Sequence, residues 1–207
     1  LSTAVQMENA TQLNMSIDES SFVQFYPYLP FFMDLSIDIM SGIRLQPGMP
    51  RQIGGSNRTI IKQVYEMLVS PRTRFADKQV GSLVTLDAVY QLVEESLPPD
   101  QVEDIRRTAA KLNHEGELGA MAVRVLQTVC LLSYVTHLPR TERNIAACLV
   151  SDVEAAAPVA EVHEALELLK GKNIIRNTDE GWRLQSRTEE TWQQERHNLG
   201  SPKSVER

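Results

Sequence analysis

Two groups of residues could do chemistry. The first is Gly55-Ser56-Asn57-Arg58. Ser56 is a natural N-cap, which puts Arg58 in the first turn of the helix it opens. A positive charge there faces the wrong end of the helix macrodipole, so its presence asks for a reason. One reason is an anion held by a neighbouring domain. A guanidinium offers a planar fork that pairs with two phosphate oxygens, and phosphoryl transfer develops charge that such a donor stabilises. The plainer account is a solvated arginine after a glycine turn, and four residues alone do not exclude it. The second group is Lys172, Arg176, Arg183 and Arg187, set around Asp179 and Glu180. A basic group of this kind could meet a nucleic-acid backbone.

Other candidates are poorer. Arg72, Arg74 and Lys78 flank Phe75 and could form a phosphate-facing edge, though such groups are more often solvated loops. His114, His137, His163 and His197 are scattered. Cys130 and Cys148 lack CxxC or Cys/His spacing, so they read as two reduced, buried thiols of a cytoplasmic protein and not as metal ligands. No serine sits in a G-x-S-x-G elbow. The chain therefore holds no complete active site of its own. A net charge of −6 argues against coating nucleic acid by bulk charge, but leaves room for a local basic patch. No apolar run approaches the roughly 20 residues of a membrane helix. The chain starts at Leu1 with nothing like a signal peptide, which suggests a piece of a longer protein.

The elements that must position these residues can be read from periodicity. Residues 1–20 are polar and should be an opening helix or a poorly ordered tail. Pro27 and Pro30 should bend the aromatic stretch from Phe22 to Pro30. A helix follows from about Phe31 to Ser41, with Phe31, Leu35, Ile39 and Met40 near one face. Gly42 to Gly54 reads as a loop. The helix that carries Arg58 should turn Ile60, Ile61, Val64, Met67 and Leu68 inward. Leu83 to Leu97 and Gln101 to Asn113 are further helices, the second capped by Asp100.

From Leu118 the pattern changes to helix Met121–Thr136, helix Glu142–Val150 capped by Thr141, and helix Val159–Lys170 stopped by Gly171 as its C′ residue. Strands at 173–176 and 182–185 then flank a turn. Three helices and a hairpin in this order are the plan of a winged helix. The expected fold is mainly α: a helical, lid-like bundle over 21–117, then a winged helix-turn-helix with a small β-hairpin over 118–187. A polar segment (1–20) and a polar tail (188–207) flank them.

The tetrapeptide ending at Arg58 resembles the sensor-2 setting of AAA+ ATPases, in which a lid-helix arginine faces the nucleotide γ-phosphate. The order of elements is similar to the C-terminal part of Orc-like AAA+ proteins. More narrowly, the runs Phe25-Tyr26-Pro27-Tyr28, Gly54-Gly55-Ser56-Asn57-Arg58-Thr59 and Arg74-Phe75-Ala76-Asp77-Lys78-Gln79-Val80-Gly81-Ser82-Leu83-Val84 resemble the large P-loop proteins of BREX phage-defence systems, the BrxC and PglY type. In order of elements the likeness covers most of residues 21–185; only those short runs carry likeness of sequence. It implies a parent ATPase that uses ATP and magnesium, an N-terminal ATPase core in the same chain, and other defence-system subunits or DNA as partners. Arg58 is the one nucleotide-related residue that carries over. The chain departs from the family pattern in lacking a G-x-x-x-x-G-K-[ST] motif and an apolar strand ending in Asp-Glu. The implied ATPase motifs must then lie elsewhere in the parent.

The third helix of a DNA-reading winged helix should present Arg, Lys, Asn or Gln to the major groove. Here Asp152, Glu154, Glu161, Glu164 and Glu167 stand against Lys170 alone between Ser151 and Lys170. Such a face repels phosphates. Backbone contact through the wing, or docking on protein, are the two expectations left for this module. The alternatives to an ATPase fragment are a winged-helix transcription regulator with a helical effector or dimerisation domain, and a structural adaptor.

Overall fold

The computed structural model describes residues 1–46 and 56–185, with backbone alone at 56–60. The protein is mainly helical, with a small two-stranded antiparallel sheet near the C-terminal end of the described residues. Helices α1 (Glu19–Phe25) and α2 (Phe31–Arg44) flank the proline bend. They are followed by α3 (Ser56–Val69), α4 (Leu86–Val93), α5 (Pro99–Leu112), α6 (Gly116–Leu132), α7 (Glu142–Ala147) and α8 (Val159–Gly171). Strands β1 (Ile175–Thr178) and β2 (Gly181–Leu184) follow, in register Arg176↔Arg183 and Asn177↔Trp182.

Helix periodicity locates the core well. Phe31, Leu35, Ile39 and Met40 of α2 are all buried, and Phe32 and Ile43 join them. Val162, Leu166 and Leu169 of α8 are fully buried. Helix α6 lies at the centre, packed by α4, α5, α8 and β2. Val125, Leu126, Val129, Cys130, Leu131 and Leu132 are at most 1% exposed, and each large side chain buried this way is worth about 1.5–3 kcal/mol. One continuous apolar core runs from Val5 to Trp182.

Several element ends differ from the sequence reading. Residues 1–18 form turns and not a helix, yet Val5, Ala10 and Leu13 are buried. Helix α4 starts at Leu86, not Leu83: the backbone is still extended at Thr85 (φ −106°, ψ 159°), and before it Leu83 donates to Ser151 C=O at 2.8 Å and Val84 to Pro27 C=O at 3.0 Å. Helix α5 starts one residue before its expected cap, with Pro99 in the first turn, where a missing N–H costs nothing. Helix α6 starts at Gly116 and α7 ends at Ala147. Thr141 does cap α7, accepting from the Asn144 N–H at 3.2 Å.

The stop of α8 lies two residues beyond the expected Gly171. Gly171 is helical, and the left-handed position belongs to Asn173, with φ +57°. The Asn173 N–H donates to Lys170 C=O and the Ile174 N–H to Leu169 C=O, both at 2.9 Å. That is a Schellman stop, in which asparagine can stand for glycine. The hairpin shifts with it, so that only Asp179 and Glu180 lie between the strands. A third piece of chain joins the sheet. The Arg140 N–H donates to Glu180 C=O, and the Trp182 N–H donates to Arg140 C=O, both at 3.0 Å. Gly181 permits this with φ +92°; a Cβ there would lie 2.5 Å from the Arg140 carbonyl oxygen.

Candidate functional site: the outer face of the third helix and the hairpin

Arg58 lies in the first turn of α3, which begins at Ser56 itself, one residue earlier than a cap there requires; the side chains of Ser56 and Arg58 are outside the described residues. From Ile61 onward the helix can be followed in full. Met67 is buried, and Val64 and Leu68 pack partly on the core. Ile61, expected to point inward, is instead 70% exposed, with Tyr65 at 65% and Val69 at 54%. At 100° per residue Ile60 and Ile61 cannot share one narrow face, and the helix docks through the 64–67–68 side. Ile61, Tyr65 and Val69 follow at i, i+4 and i+8 and form one outward line. By the same periodicity position 58 of the helix shares that arc. Lys62 and Glu66 run beside it as an i,i+4 ion pair at 3.4 Å.

The basic group next to α3 is internally compensated. Arg72 pairs with Glu95 at 3.4 Å and Arg74 with Asp77 at 3.2 Å. Lys78 sits 4.9 Å above the ring of Phe75, which is buried. These exposed pairs are worth little for stability, but they lower the local field an anion would meet.

The hairpin places its cations unevenly. Lys172 pairs with Glu115 at 2.8 Å. Arg176 and Arg183 stand opposite each other across the two strands, and both are half-buried. Arg183 lines a cleft of about 600 Å³ together with Asp100, Gln101, Asp104, Tyr134 and Gln185. Asp100 and Asp104 of α5 thus line the same cleft as Arg183. Arg187 and Trp192 lie outside the described residues. Trp182 is buried, with Lys170 Nζ 6.0 Å from its ring.

The outward side of α8 carries Glu161, Glu164 and Glu167, all exposed. Glu167 is paired with Lys170 at 2.9 Å. His163 reaches back to Glu142 of α7 at 3.1 Å. Burial pushes the Cys130 and Cys148 thiols well above their ordinary range, so neither is a nucleophile in the folded protein. Among the described residues no three His, Cys, Asp or Glu side chains gather where a metal ion could be held. No described helix is long and apolar enough to cross a membrane.

Two buried polar residues that shape this region left no mark in the sequence. Arg140 is 6% exposed; its Nε donates to Trp182 C=O at 2.8 Å and Nη2 meets Glu180 at 3.1 Å. Asn144 is fully buried and holds main-chain groups of Glu8 and Pro139. Their partners lie up to 136 residues away in the chain, beyond any local pattern. The chain matches no protein-family model, and no solved structure matches it either.

Proposed function

We propose that this chain is the lid and winged-helix region of a large AAA+-like P-loop ATPase of a BREX-type phage-defence system, and that its outer faces dock on protein. The observation that carries the reading is the exposed line Ile61, Tyr65, Val69, on the helical arc that runs back to position 58. Scattered exposed apolar residues need no explanation, but an aligned set on one helix marks a contact surface. A lid helix leaning on an ATPase core would cover it. Arg58 would then stand where the two domains meet and lend its fork to the phosphates of ATP. ATP and magnesium would be held by the N-terminal core of the same parent, in the cytoplasm.

The order α6, the Arg140 bridge, α7, α8 and a hairpin whose second strand pairs with Arg140 supports a winged helix. The acidic face of α8, the Lys172–Glu115 pair and the seat of Arg183 beside Asp100 and Asp104 favour a protein partner, such as another defence-system subunit, over DNA.

The test is kinetic. In the parent protein, Arg58→Ala should lower ATP turnover at least tenfold, with folding unchanged. Unaltered turnover rejects the sensor role, and a parent reading frame with no Walker lysine rejects the ATPase. DNA binding that is tight, falls with salt and is lost in Arg176→Ala/Arg183→Ala would replace docking by backbone contact.

A further inference from the structure

We draw no further inference here: the strongest candidate, the cleft between α5, the end of α6 and β2 that Asp100, Asp104, Tyr134 and Arg183 line, is a small cluster of mixed charge with no second feature that points to a ligand, and nothing in the structure shows what fills it.

Discussion

Helices α3 and α6 are of similar length, 14 and 17 residues, and both carry long apolar side chains, but they use them differently. Helix α6 spends its apolar residues inside this chain: α4, α5, α8 and β2 surround it, and from Val125 to Leu132 almost nothing meets water. Helix α3 rests on α2 and α4 through Val64, Met67 and Leu68, and leaves Ile61, Tyr65 and Val69 outside. The hydrophobic effect is indifferent to which chain supplies the cover. A helix whose apolar residues are all consumed internally explains a fold. A helix with a line left over points to what the fold is built to meet.

The contrast can be broken at either end. The largest effect is expected at the centre: Leu126→Ala should cost about 3 kcal/mol from the lost burial and the cavity left behind, read as a lower urea midpoint with an unchanged slope. A loss below about 1 kcal/mol would mean that α6 is not the organising helix. Next comes Gly181→Ala, which forces a Cβ against the Arg140 carbonyl at a left-handed φ. About 2 kcal/mol should be lost, with the Trp182 amide, which donates to Arg140, losing protection from exchange. Retained protection would show that the Arg140 bridge does not depend on that glycine. Thr141→Ala removes the cap of α7 and should cost about 1 kcal/mol in thermal or chemical unfolding. The smallest change is expected on α3. Ile61→Ser with Tyr65→Ser should alter stability by no more than about 0.5 kcal/mol. A loss near 2 kcal/mol would show that this chain already covers the line, and the contrast with α6 would fail.

How much of this was legible beforehand depends on the range of the interaction. The inward faces of α2, α4 and α8 follow from a 3.6-residue period, because each helix meets the core along one stripe. The Thr141 cap was legible because its donor lies three residues away. The stop of α8 was not. Glycine and asparagine both accept a left-handed backbone, and the ladder from Ile174 to Leu169 chose Asn173. The start of α4 was hidden because Leu83 and Val84 are held against Ser151 and Pro27, distant in the chain, and the backbone stays extended to Thr85. In the candidate site, charge counting correctly found the acidic outer side of α8. It could not know that Lys172 pairs with Glu115, or that Arg183 shares a cleft with Asp100 and Asp104.

The amino-acid order by itself determined the mainly helical class, the closing hairpin and most of the apolar faces, since these rest on propensity, period and turn chemistry within a few residues. Tertiary structure decided which of those faces are used up. It buried Val5, Ala10 and Leu13 in a segment with a polar composition, gave Asn144 a partner 136 residues away, and left Ile61, Tyr65 and Val69 in water. A helix can be amphipathic on its own, but whether its apolar side is core or contact surface depends on what the rest of the chain brings against it.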